Sequence, residues 1–371
     1  MTSGGPYRVL VVDDSATMRT LIRATLSREP RLAVVGEASD PLEARAALAR
    51  LAPDVLTLDI EMPRMDGLAF LEQLMRLRPM PVVMLSSLTQ AGSRAAVEAL
   101  AAGAVDAVGK PSGPDGAAAF RGLAERVLAA ARAQVRPPPR PSRTASPVAA
   151  PKETARVAAG GPGGWNGRVV LIGASTGGVD AIETVLEFFP PDCPPTLIVQ
   201  HMPESFLRSF AARLDARMAP AVCLASDGLQ LRPGLVCLAP GGAAHLHWEP
   251  GVTGTGRCRL VAGSPRCGHR PSVDVLFESA RPAATRAAAA LLTGMGRDGA
   301  EGLAGLAGSG GQVFAQDAES CVVYGMPRAA VELGAVAGGM PLSAIGPALL
   351  RACAEPPAAG PAPAAARGAR A

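Results

Sequence analysis

The chain has 371 residues, 48% hydrophobic and 18% charged, with a net charge of +4 and only 3% aromatics. This allows two packed domains and excludes both a disordered chain and a basic, aromatic-laced nucleic-acid surface. Seven irregularly spaced cysteines without a C-x-x-C pair exclude a disulfide scaffold, and no apolar run approaches the roughly 20 residues of a membrane span, so free thiols and a cytoplasmic location are expected.

Residues 1–130 read as five βα units. Strands are predicted at Arg8–Val12, Ala33–Gly36, Val55–Leu58, Val82–Leu85 and Ala104–Val108, with helical stretches such as Ala16–Ser27 and Gly67–Arg78 between them. Such alternation implies a parallel sheet covered on both faces. Asp13-Asp14 falls where a secretory leader would need hydrocarbon, so none is expected. Residues 131–164, opened by Arg136-Pro137-Pro138-Pro139, are rich in Pro, Ala, Gly and Ser and lack apolar periodicity, which predicts a semi-stiff linker. A second α/β domain is expected over 165–352. It has strands at Arg168–Ile172, Leu197–Gln200, Ala287–Leu292 and Gly311–Ala315, and a helix marked by Val179, Ile182, Val185, Leu186 and Phe189. Residues 353–371, mostly Ala, Pro and Arg, read as a disordered tail.

In the first domain Asp13 and Asp14 follow the first strand, Asp59 the third, Ser86 the fourth and Lys110 the fifth. In a parallel sheet all of these lie at the carboxyl edge, where such folds bind ligands. Three carboxylates there call for a hard divalent cation, most simply Mg²⁺. An ionised Asp beside it can attack phosphorus and become an aspartyl-phosphate. Residues 7–130 resemble a two-component receiver domain, a flavodoxin-like (βα)5 fold. The resemblance implies Asp59 as phospho-acceptor, Asp13, Asp14 and Asp59 as metal ligands together with a backbone carbonyl near Glu61, Ser86 and Lys110 as phosphoryl sensors, and a histidine kinase as phosphodonor. Ala107 stands where many receivers carry an aromatic, which puts an aromatic-rotamer switch in doubt.

In the second domain, Gly173-Ala174-Ser175-Thr176-Gly177-Gly178 ends a strand and opens a helix. It has the G-x-S-x-G spacing of a nucleophile elbow, whose flanking glycines relieve a sharp turn. The same residues allow a phosphate- or dinucleotide-binding turn, although Ser175 stands where G-x-G-x-x-G requires glycine. A plain interaction domain with Ser175 as a turn residue is a further alternative. A serine nucleophile needs a base and an orienting carboxylate. His201 directly follows a strand and is favoured over His269; Asp298 follows another and is favoured over Asp317 and Asp274. The histidine is expected to use Nε2 toward the serine and Nδ1 toward Asp298. The Thr176 amide is a candidate oxyanion donor. A metal site from His245, His247, Cys267 and His269 lacks any standard ligand spacing.

Residues 166–350 resemble the catalytic domain of the chemotaxis protein-glutamate methylesterases, the CheB family. The likeness rests on Ile172–Gly178, Val199–Glu204, Ala239–Gly242, His269–Ser279, Leu291–Gly299 and Ala315–Pro327. It implies a doubly wound, mostly parallel α/β fold, the triad Ser175, His201 and Asp298, and the Met295 amide as a second oxyanion donor. It also implies a cofactor-free esterase acting on glutamate γ-methyl esters of chemoreceptor cytoplasmic domains, with deamidation of receptor glutamines, and without nucleic-acid binding or membrane insertion. An unphosphorylated receiver covering the catalytic cleft is the expected regulation.

Overall fold

The computed structural model describes residues 5–62, 66–111, 120, 122–135, 165–252 and 255–354. The first domain contains β1 (Tyr7–Val12), α1 (Ala16–Leu26), β2 (Leu32–Ala38), α2 (Pro41–Leu51), β3 (Val55–Asp59), α3 (Gly67–Leu77), β4 (Val82–Ser86), α4 (Gln90–Ala101), β5 (Asp106–Gly109) and α5 (Leu123–Ala131). The helices begin where side chains can satisfy the free amides of a first turn. Ser15 accepts from the Met18 amide, Asp40 from Leu42 and Glu43, Asp66 from Leu68, and Thr89 from Gly92. The five strands form one sheet in the order β2-β1-β3-β4-β5, with every pairing parallel.

The second domain follows with β6 (Val169–Ala174), α6 (Gly178–Leu186), β7 (Thr196–Gln200), α7 (Glu204–Arg217), β8 (Ala221–Leu224), β9 (Leu235–Leu238), β10 (Ala244–Glu249) and β11 (Arg257–Ala262). It is completed by α8 (Val273–Ser279), a 3-10 turn at Arg281–Arg286, β12 (Ala287–Leu291), α9 (Ala300–Gly308), β13 (Gln312–Ala315), α10 (Met326–Glu332) and α11 (Leu342–Ala354). Six strands form a parallel sheet in the order β13-β12-β6-β7-β9-β8, and β10 and β11 form a separate antiparallel pair.

Both sheets are buried on both faces, and the strands show it. In β6, Val170, Ile172 and Ala174 enter one core while Val169 and Leu171 enter another. In β1, Leu10 and Val12 face one side, Val9 and Val11 the other. Burial on two faces explains why these strands are unbroken apolar runs rather than alternating ones. One core cluster runs without interruption from the α2–α4 side of the first sheet to the α6 and α7 side of the second. There α4 packs on α6 and α7.

The predicted strands of both sheets are present within two residues of their expected ends. Four strands lie outside that set of predictions: β8 and β9, four residues each, and the β10–β11 pair. At the boundaries, α5 reaches Ala131, and the Gln134 amide donates to the Val322 carbonyl, so the first residues assigned to the linker pack on the second domain. The remainder, 136–164, lies outside the described residues. Likewise α11 runs through buried Cys353 to Ala354, past the predicted start of the tail, and 355–371 lie outside. No helix among the described residues is long and apolar enough to cross a membrane.

Candidate active site

Each sheet has a point where the chain order reverses, and side chains just past the flanking strands meet there. In the first sheet that point lies between β1 and β3. Asp13, Asp14 and Asp59 each offer an oxygen there, and the three oxygens lie within 4.8 Å of one another. Lys110, just past β5, places Nζ 2.8 Å from Asp59 Oδ1 and 3.0 Å from Asp13 Oδ2. Burial is the main influence on Asp59. It pushes the pKa up to about 6 despite the hydrogen bond and charge of Lys110. On Lys110 burial acts downward, but bonding to Asp59 outweighs it and the pKa lies above the usual lysine value. Asp59 Oδ2 is buried and has no hydrogen-bond partner among the described residues. Three clustered carboxylates with one such oxygen fit a hard divalent cation. The Ser86 hydroxyl sits one residue past Leu85, the register partner of Asp59, and donates to the Gly92 carbonyl at 2.8 Å. Contact with a phosphoryl group therefore requires it to rotate away.

In the second sheet the reversal falls at β6, flanked by β7 and β12. Ser175 follows β6, His201 follows β7, and Asp298 lies in the loop after β12. His201 Nε2 lies 2.8 Å from Asp298 Oδ2, and both side chains are buried. This reverses the expected use of the ring: Nε2 faces the carboxylate, and the buried Nδ1 has no hydrogen-bond partner among the described residues. Sequence spacing carries no information about ring orientation, which follows from where the carboxylate stands. Ser175 lines the same chamber as His201 without bonding to Nδ1 in this conformation. Nucleophile–base contacts are often long in free enzymes and tighten on substrate binding.

Asp298 is held at the start of α8. Its Oδ1 accepts from the Ser272 hydroxyl at 2.7 Å and the Asp274 amide at 3.1 Å, and Oδ2 accepts from the Val273 amide at 2.8 Å. Burial alone would raise its pKa. The bonds from His201, Ser272 and Val273 outweigh burial and hold it below the usual carboxylate range. Ser272 was not anticipated as part of the site. The available signal was a serine immediately before Val273, Leu276 and Phe277, a helix start at apolar i, i+3, i+4 spacing.

The alternatives to His201 and Asp298 have other surroundings. The His269 ring stacks on that of His201, with centroids 3.7 Å apart and planes within 1°. Burial first, and then the His201 charge, lower its pKa to about 4. It is thus an uncharged neighbour of His201. It is delivered by a tight turn in which Cys267 and Gly268 both have positive φ, 50° and 81°. Asp274 receives the Gly302 amide, and Asp317 caps the turn at Ser320. Among the described residues, the two clusters able to hold an ion are Asp13, Asp14, Asp59 and Cys267, Asp274, Asp298. His245, His247 and His269 belong to neither. His245 instead accepts the Ser272 amide and contacts the Ser264 carbonyl.

The glycines around Ser175 are required, for reasons beyond the turn itself. A Cβ on Gly173 would collide with Val273, on Gly177 with Val322, and on Gly178 with Gln200. Among the described residues only Ala52 and Cys267 combine a side chain with positive φ, so the turn at Ser175 is close-packed without that strain. The amides of Thr176 and Met295 make no backbone hydrogen bond among the described residues. A chamber of about 560 Å³ lies over this edge. Its other wall comes from the first domain, Leu100 to Ala107, with Gln134 and Val135. Thr176 Oγ1 approaches Asp106 Oδ2 at 3.4 Å, and Asp106 is also bonded to Arg126.

A phosphate-accepting type of sheet joined to a second α/β domain with its own edge site is the layout of a response regulator with an enzymatic output domain. Family models agree. Residues 9–118 match the response regulator receiver domain, and residues 170–349 match the CheB methylesterase. The protein-glutamate methylesterase/protein-glutamine glutaminase 1 of Caulobacter vibrioides is 53% identical over 92% of this chain and 97% of its own. The corresponding protein of Rhizobium etli is 52% identical over 93% and 96%. The crystal structure of the Thermotoga maritima CheB methylesterase catalytic domain aligns at 35% identity and a TM-score of 0.48, covering 50% of this chain and 98% of that one. The chain belongs to the protein-glutamate methylesterase/protein-glutamine glutaminase family.

Proposed function

We propose that this chain is a phosphorylation-activated serine hydrolase that demethylates glutamate γ-methyl esters on chemoreceptor cytoplasmic domains and deamidates receptor glutamines, in the cytoplasm. The observation that carries the reading is the buried His201–Asp298 pair at the sheet edge beside Ser175.

Ser175 Oγ attacks the ester carbonyl and gives its proton to His201 Nδ1. Asp298, ionised and fixed by Ser272 and the start of α8, keeps the proton on Nε2 and stabilises the imidazolium. The amides of Thr176 and Met295 are the candidate donors to the oxyanion, each worth about 2.7–4 kcal/mol in such sites. His201 returns the proton to the leaving methanol, and water repeats the sequence on the acyl-serine. A glutamine substrate differs only in releasing ammonia.

Asp59 is the proposed phospho-acceptor, with a histidine kinase as donor. Asp13, Asp14 and Asp59 would hold a divalent metal, most simply Mg²⁺, which neutralises the phosphoryl oxygens when bound. Lys110 and a rotated Ser86 would contact the added phosphoryl group. The strand β5 connects the two sites: Lys110 follows one end, and Asp106, against Thr176, forms the other. A shift of Lys110 toward a phosphoryl group moves Asp106 and the wall of the chamber.

Methanol release from methylated receptor tests the reading. The full chain with a small phosphodonor should release methanol about 5–150-fold faster than without it, the usual span of allosteric coupling. Asp59→Asn should abolish that gain, and Ser175→Ala should leave no release. Release by Ser175→Ala at the parent rate would refute the assignment.

A further inference from the structure

One hydrogen bond holds the His201 ring by its edge. Nε2 lies 2.8 Å from Asp298 Oδ2, and the buried Nδ1 has no hydrogen-bond partner among the described residues. A single bond is a pivot. It fixes where the ring is anchored and leaves its tilt to whatever presses on its faces. The tilt matters, because proton transfer needs Nδ1 aligned with Ser175 Oγ, and small misplacements of reacting groups are costly.

One face of that ring is covered. The His269 ring lies on it with centroids 3.7 Å apart and planes within 1° of parallel. At that separation the rings are in van der Waals contact. The backbone that carries His269 is constrained on both sides. Arg266 and His269 exchange both amide–carbonyl hydrogen bonds, at 3.0 and 2.8 Å, and the two residues between them, Cys267 and Gly268, have positive φ. A cysteine is strained there, and such strain persists where the surrounding structure fixes it, often beside a reacting group. Directly after the turn, the Arg270 guanidinium donates to the Gly242 carbonyl at 2.7 Å and to the Gly263 carbonyl at 2.9 Å, which ties the segment down. Ser175, Thr176 and His201 line the chamber, and His269 does not. It backs the His201 ring rather than meeting the substrate.

The pairing also suits the reaction. His201 becomes a cation when it takes the Ser175 proton. A protonated neighbour would oppose that step, but burial first, and then the His201 charge, lower the His269 pKa to about 4. A neutral aromatic face attracts a cation instead.

We infer that His269 is a positioning residue for acyl transfer: its ring, stacked on that of His201, fixes the plane in which Nδ1 meets Ser175 Oγ. This rests on Ser175 being the nucleophile and His201 the base. His269 takes up no proton in the cycle. It acts through its flat face, so another planar ring should serve in its place.

The test measures methanol release from methylated receptor by the full chain with phosphodonor. The parent is compared with His269→Phe, His269→Leu and His269→Ala, and kcat is expressed per active site counted with a serine-directed phosphonate carried to completion. In His269→Leu and His269→Ala, kcat should fall about 10- to 100-fold with KM changed by less than about twofold, the signature of a misplaced reacting group. His269→Phe should keep kcat within about threefold of the parent, because the planar face is retained. If His269→Ala fails to fold, His269→Leu carries the comparison, since it fills the space without a planar face. A parent-like kcat in His269→Leu overturns the inference. So does a kcat in His269→Phe as low as in His269→Leu, which would mean that a ring nitrogen of His269 bonds or moves a proton. A raised KM with unchanged kcat also overturns it, since the ring would then contact substrate. Ser175→Ala, run in parallel, separates the two levels. If it still releases methanol, the nucleophile assignment falls first; if it is silent while His269→Leu matches the parent, only this inference falls.

Discussion

The two parallel sheets place their sites in the same position, at the carboxyl edge where strand order reverses, and equip them differently. The first edge concentrates charge: Asp13, Asp14 and Asp59 with Lys110. The second carries one buried imidazole–carboxylate contact, a neutral hydroxyl and a chamber. The contrast follows from what each must do. Phosphoryl transfer is dominated by neutralising oxygens, so the site is built from fixed charges. Acyl transfer requires a nucleophile, a base and a space for the substrate, with charge appearing only as the reaction proceeds.

Of the charge substitutions at either edge, the largest effect is expected at the carboxylate facing His201 Nε2. Asp298→Asn keeps a similar shape but loses the anion opposite His201 Nε2. Its kcat on methylated receptor should fall about 10⁴-fold, as neutralising an orienting aspartate does in other triads. Full activity in that variant would mean that the second edge does not depend on the carboxylate at position 298. A smaller effect is expected where the edges meet. Asp106→Ala removes the approach to Thr176 and the partner of Arg126. Methanol release in the absence of phosphodonor should rise several-fold, toward the phosphorylated rate, in line with couplings of about 1–3 kcal/mol. An unchanged resting rate would show that the coupling runs elsewhere.

The smallest effect concerns stability. Burial, with Asp298 nearby, raises the Asp274 pKa to about 6. A carboxyl group with a raised folded pKa stabilises the fold when protonated. That contribution is complete below the ordinary value near 3.9 and is lost as pH climbs through about 6. Asp274→Asn cannot ionise. Its melting temperature relative to the parent should therefore improve between pH 4 and pH 8, by the equivalent of up to about 2 kcal/mol at about 1.4 kcal/mol per unit. A difference that is flat with pH would show that Asp274 is not held in this state.

How much of this was legible in the sequence also differs between the edges. In the first domain each acidic or basic residue directly follows an apolar run, and runs buried on both faces are easily recognised, so the strands and Asp13, Asp14, Asp59, Ser86 and Lys110 could be placed together. In the second, β6, β7 and β12 were legible for the same reason. The strands β8 and β9 were not: each has four residues, and cysteines rather than a β-branched run occupy part of them. The orientation of the His201 ring and the role of Ser272 depend on contacts with Asp298 from 97 and 26 residues away in sequence, which no local pattern records. The glycines at 173, 177 and 178 announced a tight place, but the neighbours that make it tight, Val273, Val322 and Gln200, could be known only from the fold.

The central claim is that Ser175 is the atom that takes up the acyl group. Incubation of the full chain and phosphodonor with a serine-directed phosphonate, followed by peptide mass spectrometry, addresses it directly. One adduct, on Ser175, with loss of methanol release in proportion to labelling, is the predicted result. An enzyme that loses activity while Ser175 stays unmodified, or that keeps full activity with Ser175 blocked, would contradict it.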